Sequence, residues 1–189
     1  MSLEHLKKSF EKAPIVKKGG YRYVIHPITD GIPEIKPELL EEVTCEMQKI
    51  LKSCGQIDRI VTMEAMGIPL ATALSLSMNI PFTIIRKRPY GLPNEVRIEQ
   101  TTGYSKSKLY LNGLKMGDKI VIVDDVLSTG GTLRAVLSSL KTTGVVVKGV
   151  IIAVDKGDSA KKIMDETKVS IHTIVDIELT NDKVIIKNI

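Results

Sequence analysis

Two adjacent carboxylates, Asp124 and Asp125, follow a β-branched run and precede a loop of hydroxyl and glycine residues. The loop reads Ser128-Thr129-Gly130-Gly131-Thr132, and an apolar pattern of helical spacing begins directly after it. Glycines let main-chain N–H groups converge on an anion, and the first turn of a helix adds partial positive charge. The pattern therefore predicts a phosphate site, with the hydroxyl groups of the loop as further donors.

The carboxylates indicate what else the ligand carries. Placed beside a phosphate they would repel it, unless they face another part of the same molecule. Sugar hydroxyls donate hydrogen bonds to carboxylates, so a ribose 5-phosphate satisfies the loop and the 124–125 pair together. The chain has neither a GxxxxGK[ST] nor a GxGxxG loop. A simple helix-capping turn is the alternative, but neither a buried strand nor a cap requires two adjacent acids.

Composition and charge narrow the class of protein. The 189 residues are 43% hydrophobic and 26% charged, which predicts one soluble domain spanning 1–189. The net charge of +5 indicates an anionic partner. Residues 86–119 hold eight cationic and three anionic side chains, and the rest of the chain is balanced. Because the charge is local and tryptophan is absent, a small anionic substrate is favoured over nucleic acid.

Other features exclude further classes. The apolar stretches are too short for a transmembrane helix, and the first residues do not resemble a signal peptide, so we expect no membrane partner. Cys45 and Cys54 have no CxxC spacing, and the three histidines are scattered. We therefore expect free thiols, no zinc site and a cytoplasmic location.

Hydrophobic periodicity predicts alternating helices and strands. Helices are predicted at residues 3–12, 37–54, 68–78 and 132–141, and strands at 21–25, 57–63, 81–86, 120–123, 145–154, 169–175 and 183–189. A hairpin is predicted through residues 97–101 and 108–111. The fold class is α/β with a mostly parallel sheet, whose ligands bind at the carboxyl ends of the strands. Three such ends, at residues 63–67, 86–88 and 124–132, are rich in polar groups or glycine.

Residues 120–132 closely resemble the PRPP signature of type I phosphoribosyltransferases, where PRPP is 5-phosphoribosyl 1-diphosphate. The resemblance extends over roughly residues 20–180. The ending Leu-Ser-Thr-Gly-Gly-Thr is most similar to the adenine and xanthine branch and to archaeal hypoxanthine relatives. The common 6-oxopurine branch has an aspartate at Ser128 that assists deprotonation of the base, so that mechanism does not carry over. The resemblance implies the type I fold, with a hood from about residues 13–36 plus the C-terminal segment, and a flexible lid hairpin.

The resemblance also implies a diphosphate site. The family's pyrophosphate loop corresponds to Glu64, Ala65, Met66 and Gly67, and adenine-type relatives usually have arginine where this chain has Met66. Lys87 and Arg88 follow a predicted strand beside the phosphate loop, which favours diphosphate binding over a merely solvated edge.

The lid and the base site complete the implied active site. Residues 99–110 resemble the family's catalytic loop, with Tyr104 covering the site and Lys106 and Lys108 near the leaving group. His26 is expected to be a hood or interface residue rather than a catalyst. The implied roles are: catalysis, Asp124, Asp125, Lys87, Arg88 and Tyr104; 5′-phosphate binding, Ser128, Thr129, Gly130, Gly131 and Thr132; pyrophosphate binding, Glu64, Ala65, Met66, Gly67, Lys87 and Arg88; purine binding, Val126, Leu127, Asp155 and Lys156.

The implied reaction joins PRPP to a purine base and releases pyrophosphate. Hypoxanthine with guanine is favoured, because Lys156 suits a 6-oxo group. Mg²⁺ is expected to be held mainly by PRPP near Asp124 and Asp125, without a direct protein metal site, and the enzyme is expected to be a homodimer. The alternatives are an adenine phosphoribosyltransferase and a PRPP-sensing purine regulator on the same fold.

Overall fold

Three sheets and six helices make up the part of the chain that the structure, a computed structural model, describes. That part is residues 3–19, 21–102, 105–180 and 183–189, without the side chains of residues 18, 21, 100–102 and 105–107. The strands are β1 (Ile15–Lys18), β2 (Tyr21–Val24), β3 (Arg59–Met63), β4 (Phe82–Ile85), β5 (Val96–Thr102), β6 (Ser105–Leu111), β7 (Lys119–Leu127), β8 (Val146–Asp155), β9 (Ile171–Leu179) and β10 (Val184–Asn188). The helices are α1 (Glu4–Glu11), α2 (Pro27–Asp30), α3 (Pro37–Ser53), α4 (Gly67–Met78), α5 (Gly131–Lys141) and α6 (Ser159–Thr167).

The central sheet has the strand order β10-β9-β8-β7-β3-β4. Its pairs are parallel except for β10, which runs antiparallel to β9. The inner strands β7 and β8 are almost wholly buried, as β-branched runs are when helices cover both faces of a parallel sheet. The expected α/β class and mostly parallel sheet are confirmed.

The helices cover the sheet with apolar faces of helical period. Leu39, Val43, Met47 and Leu51 are the buried stripe of α3, and Leu133, Val136, Leu137 and Leu140 are that of α5. Buried Glu42 on α3 accepts the N–H groups of His5 and Leu6, which fixes the first turn of α1. None of the helices in the described ranges is long and apolar enough to cross a bilayer.

The structure differs from the predicted elements at several places. β7 continues past Val123 to Leu127, so Asp124 and Asp125 lie within a strand and not in the loop after it. Pairing with β8, where Asp124 lies opposite Ile152 and Leu127 opposite Asp155, overrides the low strand preference of aspartate. β1, α2 and α6 were not predicted from the sequence.

Two antiparallel hairpins flank the carboxyl ends of the central strands. The β5–β6 hairpin is present as predicted, and main-chain hydrogen bonds between Arg86 and Tyr110 tie it to the end of β4. The other hairpin, β1–β2, leads into α2, and Arg22 there donates to the Thr180 carbonyl near the C-terminus. The N-terminal and C-terminal segments thus meet beside the sheet.

Candidate active site

A cavity of about 390 Å³ lies at the carboxyl ends of β3, β4 and β7. Its lining joins all three sequence segments that were singled out as polar strand ends. The lining residues are Met63, Glu64, Ile85, Lys87, Leu109, residues 124–133 and Ile152. The predicted 5′-phosphate loop, the carboxylate pair, Val126 and Leu127 are therefore brought together in one site.

The carboxylate pair is buried at the wall of this cavity. Asp124 and Asp125 are 9% and 8% exposed, and each carboxyl group influences the pKa of the other. Burial is the main cause that raises the pKa of Asp124, and the Asp125 charge adds to it. Burial likewise raises the pKa of Asp125 to about 6, although Asp124 and Lys156 act in the opposite direction. Hydroxyl donors or a cation in the cavity would favour the ionised form of both.

Gly67 makes room for Asp124. A Cβ atom at Gly67 would meet Thr62 Oγ1 and would lie 2.6 Å from Asp124 Oδ1. Gly67 is the first residue of α4, so the turn after β3 approaches the carboxylate more closely than a side chain permits. Its predicted role in pyrophosphate binding stays a prediction; the structure places it behind Asp124.

The phosphate loop is closed by a left-handed residue. Gly130, at the N-cap of α5, has φ 76°, and a Cβ there would collide with Ile163 Cδ1 and lie 2.8 Å from Arg134 Nη1. The first turn of α5 begins at this loop, and the partial positive charge of a helix N-terminus favours an anion in the cavity.

Arg134 links the phosphate loop to α6. Its guanidinium donates to the Thr129 carbonyl at 3.0 Å and forms two hydrogen bonds with Glu166 on α6. Ser159 Oγ, also on α6, donates to the Ser128 carbonyl. The Arg134 guanidinium is thus paired within the protein. The loop itself can therefore bind phosphate only through main-chain N–H groups and hydroxyls.

The opposite wall carries charged side chains. Glu64, after β3, pairs with the Arg86 guanidinium at 2.5 Å and accepts the Lys87 N–H at 2.7 Å. This arrangement neutralises Arg86 and fixes the end of β4, so that exposed Lys87 lines the cavity. Lys87 is well placed for the predicted diphosphate.

The remaining predicted pyrophosphate residues lie away from the cavity lining. The Arg88 guanidinium stacks over Tyr90, 5.6 Å from the ring centroid. Met66 lies against the hood, because a Cβ at Gly31 would be 3.4 Å from its methyl carbon. Ala65 is exposed.

The predicted purine residues Asp155 and Lys156 have different neighbours. Asp155, at the end of β8, accepts the Ala160 N–H of α6 and lies opposite Asp176 of β9. Burial raises the pKa of Asp155 to about 6, and the Asp176 charge adds to it. The charged groups that act on Lys156 are Asp30 and Asp125. Neither residue is among the described residues that line the cavity, so their predicted roles in purine binding stay predictions.

His26 is buried between α1 and α2, and its expected place in a hood stays a prediction. Its ring stacks on Phe10, with centroids 3.9 Å apart, and its Nδ1 accepts the Ile28 N–H. The other ring nitrogen is 2.8 Å from Ser9 Oγ. Burial lowers the pKa of His26 to about 4, so the ring is neutral at pH 7 and packs α1 against α2.

The lid hairpin is anchored by apolar side chains. Ile98, Leu109 and Leu111 are buried, and they pack in the same cluster as Leu133 and Leu137 of α5. Tyr104 falls outside the described residues, as does the side chain of Lys106, and Lys108 is exposed. The proposed roles of Tyr104 and Lys106 stay predictions.

Sequence reasoning missed the apolar floor of the cavity. Met63, Ile85, Leu109 and Ile152 line the floor, although in the sequence they are indistinguishable from core residues. Within the described residues, no three His, Cys, Asp or Glu side chains converge on one point that could hold a metal ion. Both cysteines are free thiols.

Comparison with known proteins identifies relatives over nearly the whole chain. The phosphoribosyl transferase domain model matches residues 34–184. A hypoxanthine/guanine phosphoribosyltransferase of Methanocaldococcus infernus is 50% identical over 96% of this chain and 99% of its own length. One from Methanohalophilus mahii is 52% identical over 96% of this chain and 94% of its own length.

Solved structures show the same fold. Adenine phosphoribosyltransferase from Rhodothermus marinus aligns with a TM-score of 0.75, covering 92% of this chain and 97% of that chain, at 21% identity. The Giardia lamblia enzyme complexed with 9-deazaadenine aligns with a TM-score of 0.76 at 20% identity, covering 93% and 98% of the two chains. At these identities the likeness concerns the fold alone.

Proposed function

Since the chain belongs to the phosphoribosyltransferase family, we propose that it transfers the 5-phosphoribosyl group of PRPP to hypoxanthine and guanine. The products are the nucleoside 5′-monophosphates IMP and GMP, together with pyrophosphate, which makes the protein an enzyme of purine salvage. A bond forms between the base nitrogen and the sugar C1, the bond from C1 to the diphosphate breaks, and the base releases a proton.

One observation carries the proposal most directly. The buried carboxylates of Asp124 and Asp125 open on the same cavity as the N-terminal turn of α5. A ligand that fills both parts needs hydroxyl donors next to a phosphate, which a ribose 5-phosphate provides. The close relatives, named for hypoxanthine and guanine, support the choice of base.

Each group of cavity residues has its own role in this proposal. The 128–132 loop binds the 5′-phosphate, Asp124 and Asp125 accept the ribose hydroxyls, and Lys87 offsets the charge of the departing diphosphate. Val126 and Leu127 form an apolar wall beside the ribose for the base. Catalysis then depends on positioning the base and C1 and on stabilising the leaving group.

Mg²⁺ enters with PRPP in this proposal and lies near Asp124 and Asp125. The fit rests on their chemistry, since buried carboxyl groups with raised pKa values become more acidic when a cation approaches. When bound, the ion neutralises part of the diphosphate charge.

We also propose the quaternary and cellular setting from the family resemblance. The segment of residues 13–36 with the C-terminal strand forms a hood in a single domain, and two chains form a dimer. Exposed Leu76, Tyr90 and Leu92 are available to such an interface. The free thiols suit a cytoplasmic, reducing environment.

The decisive experiment is a turnover assay with PRPP, Mg²⁺ and each of hypoxanthine, guanine, adenine, xanthine, uracil and orotate. We expect IMP and GMP with equimolar pyrophosphate, and little product from the other bases. Turnover of adenine alone would replace the proposed substrates by the runner-up. PRPP binding without turnover of any base would instead favour the PRPP-sensing regulator.

A further inference from the structure

Two carbonyl groups of the phosphate loop accept hydrogen bonds from side chains outside the loop. Ser159 Oγ, at the start of α6, donates to the Ser128 carbonyl. Arg134 of α5 donates through Nη1 to the Thr129 carbonyl at 3.0 Å. The loop lines the cavity, whereas neither donor is among the described residues that line it. The two carbonyls are therefore bound on the side of the loop away from the cavity.

The direction of these carbonyls determines where the next main-chain N–H groups point. The 128–129 and 129–130 peptide bonds are trans. In a planar trans peptide, the C=O of one residue and the N–H of the next point in opposite directions. The N–H groups of Thr129 and Gly130 therefore point away from the two donors, and they have no hydrogen-bond partner among the described residues. Binding of the carbonyls thus directs two N–H donors to the cavity side of the loop.

Glu166 on α6 fixes the guanidinium that binds the Thr129 carbonyl. Its Oε2 accepts from Arg134 Nε at 2.6 Å and its Oε1 accepts from Nη2 at 3.0 Å, while Nη1 donates to the loop. Two parallel hydrogen bonds fix the orientation of a guanidinium as well as its position. The side chains of Arg134 and Glu166 are 34% and 51% exposed, and such a pair contributes little to the stability of the fold. Its main effect is therefore on the position of the loop.

Gly130 contacts the same helix. Ile163 of α6 is fully buried, and a Cβ atom at Gly130 would collide with its Cδ1. Residues of α6 thus act on three successive loop residues: on Ser128 directly, on Thr129 through a guanidinium and on Gly130 by packing. All three contacts involve the main chain of the loop.

We propose that α6 is the positioning element of the phosphate loop, and that Glu166, acting through Arg134, is a positioning residue for the 5′-phosphate of PRPP. This inference rests on the proposed function and assigns a role in it to a residue outside the cavity. Glu166 holds the guanidinium, the guanidinium holds the Thr129 carbonyl, and the Gly130 N–H then faces the phosphate. The 5′-phosphate does not react, so the loop binds it equally before and during the reaction, and loss of this interaction raises KM without lowering kcat.

A direct attraction between the Arg134 charge and the phosphate is the alternative, and removal of Glu166 distinguishes the two roles. Glu166 neutralises the guanidinium, so an arginine that acts by its charge would attract phosphate more strongly without Glu166. An arginine that positions the loop would instead lose the group that orients it. The first role predicts tighter binding of a 5′-phosphate after the substitution, and the second predicts weaker binding.

The variant Glu166→Ala provides the test. It removes both acceptors at an exposed helical position, where alanine is a good helix former. Misplacement of a positioning group by about 1 Å costs up to about 100-fold, so we expect the KM for PRPP and the Kd for ribose 5-phosphate to rise roughly tenfold. The kcat at saturating PRPP, the KM for hypoxanthine, the Kd for pyrophosphate and the thermal midpoint should stay at wild-type values.

Two further variants support the test. Asp165→Ala removes the same charge from the neighbouring exposed position of α6, which has no contact with the guanidinium, and should change none of these constants. Ser159→Ala removes the donor to the Ser128 carbonyl, and it carries the test if Glu166→Ala lowers the thermal midpoint. It should raise the Kd for ribose 5-phosphate by a smaller factor, because a neutral hydrogen bond is weaker than one to a charged group.

The outcomes separate this inference from the proposed function. If Glu166→Ala lowers the Kd for ribose 5-phosphate, leaves it unchanged, or weakens ribose 5-phosphate and pyrophosphate equally, the positioning role is wrong, and wild-type turnover leaves the proposed function standing. If wild-type protein neither binds ribose 5-phosphate nor forms IMP from PRPP, the proposed function is wrong and this inference fails with it.

Discussion

Two pairs of neighbouring carboxylates lie at the same edge of the sheet, and only one of them opens on the cavity. Asp124 and Asp125 lie near the carboxyl end of β7 and line the cavity beside the phosphate loop, whereas Asp155 of β8 lies opposite Asp176 of β9. Burial raises the pKa of Asp124, Asp125 and Asp155 alike. A raised carboxyl pKa at a strand end therefore does not distinguish a substrate site from a structural pair.

The two pairs differ in the groups that can stabilise a carboxylate charge. Asp155 accepts one N–H at the start of α6, and one oxygen of Asp155 and one of Asp176 are buried without a hydrogen-bond partner in the described ranges. The 124–125 pair faces a cavity that a ligand with hydroxyl groups can fill. In the proposed function the hydroxyl groups of the substrate pair with Asp124 and Asp125, whereas Asp155 and Asp176 do not line the cavity.

The largest effect is expected for Asp125→Asn. In the proposed function it removes the charge that accepts the ribose hydroxyls, so kcat/KM for PRPP should fall roughly 100-fold, the equivalent of about 2.7 kcal/mol. The free energy of unfolding should rise at the same time. Since the folded-state pKa of Asp125 is raised from 3.8 to about 6, ionisation costs stability as pH increases through this window, and asparagine avoids that cost.

The pH dependence provides the internal control for this variant. Chemical denaturation at pH 8 should show the variant more stable than wild type by up to about 3 kcal/mol, and the difference should largely vanish near pH 4. Wild-type turnover in Asp125→Asn would show that the two carboxylate pairs do not differ in function.

The next largest effect is expected for Gly130→Ala, which changes the 128–132 loop beside Asp124 and Asp125. Alanine at φ 76° is strained, and its Cβ would collide with Ile163 and approach Arg134. We expect a loss of about 1–3 kcal/mol in the free energy of unfolding and roughly tenfold in kcat/KM for PRPP, because the loop N–H groups shift.

Gly91→Ala is the matched control for the loop. Gly91 also has a positive φ, 65°, but a Cβ there meets no atom within 4 Å. It should reproduce the backbone strain without the collision and leave kcat/KM unchanged. Equal kinetic losses in both glycine variants would contradict a specific role of the 128–132 loop.

Much of the site around Asp124 and Asp125 could be predicted from the sequence, because its signals are local. A β-branched run, two acids, glycines and an apolar helical period follow one another within residues 120–141, and the structure joins them in one cavity. The extension of β7 to Leu127 could not be predicted, because aspartates normally end strands and only pairing with β8 keeps them in the ladder.

The pair of Asp155 and Asp176 depends on contacts between segments that are distant in the sequence. Asp155 and Asp176 become neighbours only through the register of β8 and β9. The packing of α2 against β7 could not be predicted either, because α2 has only four residues and no usable periodic signal. Burial of Asp155 at the start of α6 gave no local signal either, and its purine-binding role, implied by the family resemblance, stays a prediction.

The smallest effect on activity is expected for Asp155→Asn, which tests the structural pair directly. Asparagine can still accept the Ala160 N–H, so kcat/KM for PRPP and for hypoxanthine should stay close to wild type. The folded-state pKa of Asp155 is raised from 3.8 to about 6, so the variant should gain stability as pH rises through that window, by up to about 3 kcal/mol above pH 7.

A double-mutant cycle with Asp176→Asn shows whether this gain comes from the pair. The Asp176 charge raises the pKa of Asp155, and like charges opposite each other on neighbouring strands cost about 0.2–1 kcal/mol. Either single variant removes that repulsion, so the double variant at pH 8 should gain less than the sum of the two. Strict additivity would mean that burial alone raises the pKa of Asp155. A marked loss of turnover in either variant would move the second pair into the active site and end its distinction from the first.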